Sequence, residues 1–260
     1  MLSIGITTFK RRFELLKSLV NSIKSFDENI EIIITINADY EQEFDENYRK
    51  SLCEFISSTK NCYPVFFPSF TSLSKMWNTL ILHSTNEHIL ILNDDLIFDN
   101  ENIIPEILNK ISNKKNEIDS NVDLFTINNS WCHFVISKKM AYKLKYFDER
   151  LLAWGEEDGD MVWRFIKEFG EPPTNINIEG IRNLYEGYDI QPQNIDSEKA
   201  CRAFRPKFNR HWAYKHKYKK SILGIKGMFD YTCKRVIKDE QQYPYEKFKW
   251  ENKDKLIKIV

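Results

Sequence analysis

The chain has 260 residues, 42% hydrophobic and 14% aromatic, with 38 Lys and Arg against 38 Asp and Glu. That length suits one large domain or a domain with an appendage. No apolar run approaches the roughly 20 residues of a membrane-spanning helix, and five cysteines (Cys53, Cys62, Cys132, Cys201, Cys233) without a C-x-x-C pair argue against a disulfide framework or a zinc site. The zero net charge hides an asymmetry: residues 1–200 carry 21 basic and 32 acidic side chains, and residues 201–260 carry 17 and 6. A basic tail on an acidic body points to an anionic partner for the tail. "MLSIGITTF" lacks the charged start and long apolar stretch of a signal peptide, so a cytoplasmic location is expected.

Short β-branched runs alternate with amphipathic segments. Strands are expected over 2–8, 31–37, 63–67 and 88–94, with helices over 12–23, near 44–58 and over 73–84. Strands apolar on both sides that alternate with helices imply a mostly parallel sheet covered on both faces. After residue 100 the pattern loosens. Residues 123–129 and 132–137 read as strands, 137–146 as a short helix, and 156–169 as a longer one. In that last helix Val162, Phe165, Ile166 and Phe169 mark an apolar face, and Gly170, Pro172 and Pro173 end it. Beyond about residue 205 the periodicity weakens. The expected division is a domain over 1–204 and a basic, aromatic-rich extension over 205–260.

In open α/β sheets ligands bind beyond the carboxyl ends of the strands. Here the first strand ends in "TTFKRR", the second in "NADY" and the fourth in "NDDLIF". Asp94 and Asp95 repel one another. A hard divalent ion, Mn²⁺ or Mg²⁺, relieves such a pair and binds substrate phosphate as well; a plain turn is the competing reading. A second acidic cluster sits in "WGEEDGDMVWRF", with Glu156, Glu157, Asp158 and Asp160 within five positions. One acid there complements the helix dipole. Two charges about 4 Å apart repel by about 1 kcal/mol in water and about 4 kcal/mol at a protein-like dielectric, so four acids cost more than the dipole returns.

In this order, "TTFKRR", Asp39, "LILNDD" and "FDERLLAWGEEDGDMVWR" resemble the GT-A glycosyltransferases, in particular the inverting family 2 enzymes. The last stretch is also similar to the W-G-x-E-D-x-D element of β-1,4-galactosyltransferases. The resemblance covers roughly residues 2–170. It implies a Rossmann-like GT-A fold and a metal-dependent inverting transfer of a sugar from a nucleotide donor, commonly UDP-linked. The acceptor would be a saccharide or a lipid-linked saccharide, as in surface polysaccharide, lipopolysaccharide or capsule assembly. It assigns Asn93, Asp94 and Asp95 to the D-x-D segment, with Asn in the first position. Asp95 becomes the metal ligand and Asp94 a sugar or ribose contact. Thr7, Phe9, Arg12 and Asp39 would line the nucleotide pocket, joined by Lys75 and Asn78. Asp158 would be the general base, Glu157 would hold an acceptor hydroxyl, and Trp154 would face the sugar ring. Asp160 would only cap or brace the helix. A downstream histidine often completes such metal sites, and His211 is in the right part of the chain. His83 and His88, flanking the fourth strand, read as structural, and His133 lies inside a strand.

Two alternatives compete. A sugar nucleotidyltransferase shares fold and metal chemistry, but it usually has a Gly-rich phosphate loop, and "TTFKRR" has no Gly. A non-catalytic nucleotide-sugar-binding module would not need Asp95 and Asp158 together. The tail has no nucleic-acid motif, so no nucleic-acid partner is expected. Its lysines and aromatics suit an anionic membrane surface instead, at the inner face of the membrane.

Overall fold

The computed structural model describes residues 1–9, 12–38, 45–68, 70–151, 154–184 and 209–235. They fall into two compact units, one of residues 1–70, 79–143 and 173–191, the other of residues 71–78, 144–172 and 192–260.

The first unit is an α/β sheet structure. Its elements are β1 (Leu2–Phe9), α1 (Phe13–Phe26), β2 (Glu31–Asn37), α2 (Glu46–Ser57), β3 (Cys62–Phe66), the second half of α3 (Leu73–His83) and β4 (His88–Asn93). There follow β5 (Leu96–Phe98), α4 (Ile103–Ser112), α5 (Ser120–Asp123), β6 (Leu124–Ile127), β7 (Ser130–Ser137), α6 (Lys138–Lys143), β8 (Thr174–Ile176) and β9 (Ile181–Asn183). Seven strands form one sheet in the order β3-β2-β1-β4-β7-β6-β8. Only β7 runs against the others.

The pleat explains the layers. Leu2, Ile4 and Ile6 of β1, Ile32, Ile34 and Ile36 of β2, and Leu90 and Leu92 of β4 share one face by their period of two. They pack with Leu16, Leu19, Val20 and Ile23 of α1, Leu52 and Ile56 of α2, and Ile103, Ile104 and Ile107 of α4. The other face of β1 carries Gly5. A Cβ there would lie 3.0 Å from Leu80 Cδ1 and 2.9 Å from Ile89 Cδ1. α3 therefore closes directly on the strand, and helices cover the sheet on both faces.

α4 stands where the sequence pattern loosens. Its apolar residues Ile103, Ile104, Ile107, Leu108 and Ile111 recur at helical spacing, with Pro105 in the first turn where proline is tolerated.

The second unit holds the start of α3, the 144–151 turn, α7 (Glu157–Phe169), a helical segment over 209–216 (α8), and a hairpin of β10 (Tyr218–Ser221) and β11 (Gly224–Met228). α7 begins after Glu156, which has a left-handed φ of 74°. It ends at Gly170 with φ 85°, whose N–H reaches Ile166 O at 2.8 Å. Its buried face differs from the expected Val162–Phe165–Ile166–Phe169 stripe. The buried residues are Glu157, Asp160, Met161, Arg164 and Phe165, while Val162, Ile166 and Phe169 are half-buried. The helix turns charged groups inward because partners await them there. Ala213, Tyr218 and Met228 form a small core with Trp163, Trp212, Tyr214 and Tyr231, so residues 209–235 pack on α7.

One ion-paired group in the first unit sets an acid limit on stability. Asp123 is buried at the end of α5. It accepts from Lys114 Nζ at 2.8 Å and the Asp119 amide at 2.6 Å, and lies 3.1 Å from His88 Nε2. Burial alone would raise its pKa. The hydrogen bonds from His88, Lys114, Asp119 and Ser137 outweigh burial and hold it at about 2. A carboxylate depressed in the folded state contributes stability above its unfolded pKa and loses it as the pH falls through the folded value. Asp123→Asn should therefore cost roughly 2 kcal/mol at pH 7, at 1.36 kcal/mol per pKa unit. The gap between variant and parent should close as the pH falls from about 4 towards about 2. Urea unfolding at pH 7 and pH 3 measures both.

Candidate active site

The first unit gathers its polar groups at the carboxyl ends of β1 and β4, adjacent parallel strands. Ligand sites form at such ends. Thr7 and Thr8 close β1, and Asn93, Asp94 and Asp95 follow β4. Thr7 Oγ1 donates to Leu92 O at 3.5 Å, so it sits on the strand seam. Asp94 is only 2% exposed. Its two oxygens accept from Arg12 Nη1 at 2.9 Å and Thr8 Oγ1 at 2.7 Å. Burial still pushes its pKa up; Arg12 and Thr8 pull it down, and Asp95 adds to the rise.

Asp95 is poorer in partners. Arg12 Nη1 reaches its Oδ2 at 3.5 Å, and its Oδ1 is buried with no hydrogen-bond donor among the described residues. One guanidinium thus serves two carboxylates. His133, on β7 opposite Leu92, is buried too, with neither ring nitrogen partnered among the described residues. Burial lowers its pKa, against the pull of the Asp95 charge. That direction favours the neutral imidazole, the form in which it binds metal. Sequence periodicity makes His133 one more strand residue; only the antiparallel register of β7 brings it to Asp95.

The donor set suits a hard divalent ion with substrate phosphates: a carboxylate oxygen buried without a donor, and a guanidinium beside it. No group of three His, Cys, Asp or Glu side chains able to hold a metal occurs among the described residues. A metal here would therefore rest on Asp95 and on ligands from the substrate.

The second unit sorts the four acids of α7. Glu156 pairs with Arg210 at 3.3 Å. Asp160, 1% exposed, pairs with Arg164 at 2.7 Å and with Lys217. Lys217, itself 1% exposed, also reaches Asp148 Oδ2 at 2.6 Å, and Arg150 holds the same oxygen at 2.6 Å. Burial works against the Asp148 carboxylate, but Arg150 and Lys217 more than offset it and hold its pKa below the ordinary range. Glu157 is buried at the helix start. Asp158 is half-buried, has no ion pair among the described residues, and accepts from the Gly159 amide at 2.8 Å. Tyr218 stands over this turn, its hydroxyl 3.8 Å from where a Gly159 Cβ would lie. Burial first, then Glu156, Asp160 and Asp158, push its pKa up. Asp160 therefore braces the helix, while Asp158 keeps an uncompensated charge. Lys217, Asp148, Arg150 and Arg164 are the partners that sequence spacing did not single out.

The remaining expected residues are placed as follows. Trp154 is half-buried just before α7. Asn78 is fully buried. Its amide donates to Phe147 O at 2.9 Å and Glu149 Oε1 at 2.8 Å and accepts from Phe147 N at 2.9 Å. That engagement leaves the expected donor-binding role without a free group and makes Asn78 the brace of the 147–149 turn. Lys75 lies in the first turn of α3, its N–H bonded to Ser72 Oγ at 3.3 Å. His211 lies exposed in α8. Phe9 ends β1. Asp39 lies outside the described residues. Burial lifts the thiols of Cys62 and Cys233 to about 12, so neither is a nucleophile at neutral pH.

No sequence family matches the chain, and no curated protein matches it in sequence. Solved structures do match its fold. The mannosyltransferase PcManGT of Pyrobaculum calidifontis, in complex with GDP-Man and Mn²⁺, superposes with a TM-score of 0.55 at 10% identity, over 85% of this chain and 65% of that one. TarS 1–349 of S. aureus with UDP-GlcNAc gives 0.50 at 12%, over 78% and 66%. GalNAc-T7 with UDP, GalNAc and Mn²⁺ gives 0.53 at 11%, over 70% and 43%. The chain thus spans less than two thirds of each of these proteins. The architecture is an α/β fold of the GT-A kind, a mostly parallel seven-stranded sheet with helices.

The buried lysine gives a direct test of the second unit. Lys217→Met would leave Asp148 and Asp160 buried with less cation, and breaking a buried pair costs about 3–5 kcal/mol. Chemical denaturation should show that loss.

Proposed function

We propose that the chain is a glycosyltransferase that moves a sugar from a nucleotide donor to a saccharide acceptor with the help of a divalent ion. The observation that carries this is the buried Oδ1 of Asp95, without a donor among the described residues, at the carboxyl end of β4 in a GT-A-like sheet. The motif resemblance around residues 146–164 and the nucleotide sugars bound in structures of similar fold support it.

In this reading Asp95 holds Mn²⁺ or Mg²⁺, and Arg12, hydrogen-bonded to Asp94, receives donor phosphate. The ion supplies charge to the departing nucleoside diphosphate. Thr7, Thr8 and Asn93 shape the pocket floor. Asp158 takes the proton of the attacking acceptor hydroxyl, and the Gly159 amide fixes the carboxylate that does so. Glu157 holds a neighbouring hydroxyl, and Trp154 offers an apolar face to the sugar. Direct attack by that hydroxyl inverts the anomeric centre. A UDP-linked donor and a lipid-linked acceptor of a surface polysaccharide are the reading's finer parts.

Two variants test it. Asp95→Ala should abolish the Mn²⁺-dependent thermal stabilisation by nucleoside diphosphates, which follows mass action in the parent. The ligand-free variant should fold as the parent does, since among the described residues it gives up one oxygen without a donor and only a distant share of Arg12; equal Mn²⁺-dependent shifts in both would remove Asp95 from the site. Asp158→Asn should keep those shifts and lose about 10²–10⁴ in transfer rate. A variant that transfers at the parent's rate, with Glu157→Gln inactive, would move the base to Glu157.

A further inference from the structure

The β10–β11 hairpin ends in a turn that its sequence does not explain. Two-residue hairpin loops favour Asn, Asp and Gly, whose backbones suit the turn. Here the tip is Ile222-Leu223, 105% and 95% exposed. Ser221 does the work of closure: its hydroxyl donates to Gly224 O at 2.8 Å and accepts from Leu223 N at 3.2 Å. Gly224, at φ 120°, completes the reversal. The tip is thus an ordered turn that holds two large apolar side chains in water. Ile225 and Phe229 on the same hairpin are 39% and 50% exposed.

The surroundings are all of one charge. Lys219 and Lys220 on β10 and Lys226 on β11 are exposed, as is Lys215 before the hairpin. Residues 215–229 contain no Asp or Glu. The one lysine of this stretch that turns inward is Lys217. Lone exposed apolar residues are ordinary. Two adjacent ones at the apex of an anchored hairpin whose own exposed charges are all lysines are complementary to an apolar layer beneath a negative surface. A nucleic acid would use the lysines but not Ile222 and Leu223.

We propose that this hairpin is an anchor to an anionic lipid bilayer: Ile222 and Leu223 enter the headgroup boundary, and Lys219, Lys220 and Lys226 engage lipid phosphates. At its base Tyr218 meets Gly159 of the acidic turn. The anchor therefore holds the start of α7 to the same surface, where an acceptor carried on lipid would be presented. The lipid contact stands on the hairpin alone; only the lipid-borne acceptor rests on the transferase reading.

The test is co-sedimentation of the full chain with vesicles of phosphatidylcholine alone or with about one third phosphatidylglycerol. The parent should bind the anionic vesicles at low salt, release them at high salt, and ignore neutral ones. Ile222→Ser with Leu223→Ser should lower the partition at least tenfold at an unchanged melting temperature. Lys219→Glu with Lys220→Glu should lower it further. Both variants should keep the parent's Mn²⁺ and nucleotide shifts, so a failure here is distinguishable from failure of the transfer reading. No binding to anionic vesicles, equal binding to neutral ones, or a tip variant that partitions like the parent overturns the proposal. Size-exclusion chromatography decides the other occupant. A parent dimer that Ile222→Ser and Leu223→Ser dissolve, with no vesicle binding, makes the tip a contact between copies and removes the lipid anchor.

Discussion

The second unit depends on one cation in a place where cations are expensive. Lys217 is buried between Asp148 and Asp160, and both carboxylates are buried with it. Taking an ion out of water costs several kcal/mol, which only close, well-bonded partners return. Here the partners are close, and Arg150 and Arg164 complete the set. Two acids and three bases thus share one interior cluster. They come from the 144–151 turn, from α7 and from the link between α8 and β10, so folding cannot satisfy any one segment without the others. The direction of α7, and with it the placing of its acidic start, follows from where Asp160 must go.

The same charge rule separates the acids that chemistry can use from those it cannot. Asp160 is matched by Arg164 and Lys217, and Glu156 by Arg210, so their charge is already committed. Among the described residues Asp158 has only the Gly159 amide. In the first unit the shortage is sharper. Among the described residues Asp94 has two donors, whereas Asp95 has a distant share of Arg12 and one oxygen with none. A buried acceptor without a donor costs about 1–3 kcal/mol. A chain that keeps such an oxygen at the ligand end of its sheet carries a debt that a cation or a donor group can cancel.

Much of the fold was legible because strands and helices obey short periods. Residues 31–37 are β2 to the residue, and the strands and helices around it fall within a few residues of expectation. β5, β8 and β9, three residues each, are too short to show any period, and they exist because neighbouring strands offer them ladders. α4 was missed although Ile103, Ile104, Ile107, Leu108 and Ile111 keep a helical period. The face of α7 was misjudged for a deeper reason. The apolar count favours Val162, Ile166 and Phe169, yet the fold buries Asp160 and Arg164. A hydrophobic pattern cannot foresee that, because the gain lies in a partner 57 residues away along the chain, Lys217. The i, i+4 pair Asp160–Arg164 was written in the sequence; the lysine that makes it a core was not, for nothing in one dimension distinguishes Lys217 from its neighbours Lys215 and Lys219.

That indistinguishability also bears on the basic tail. A surplus of charge over residues 201–260 looks like a single feature with a single purpose, and in three dimensions it divides. Lys217 goes inward and neutralises carboxylates of the preceding segments, as their opposite net charges would suggest. Arg210 takes Glu156 at the surface. Lys220 leans on Tyr214 at 5.5 Å from the ring centroid, a cation–π contact that leaves the ammonium at the surface. The inward charge stabilises the unit, whereas the outward charges are crowded on one hairpin, where they repel and contribute little to stability. A stretch that is integral to the fold at its base thus carries at its tip exposed lysines and the exposed apex of Ile222 and Leu223, which add little to the stability of the fold.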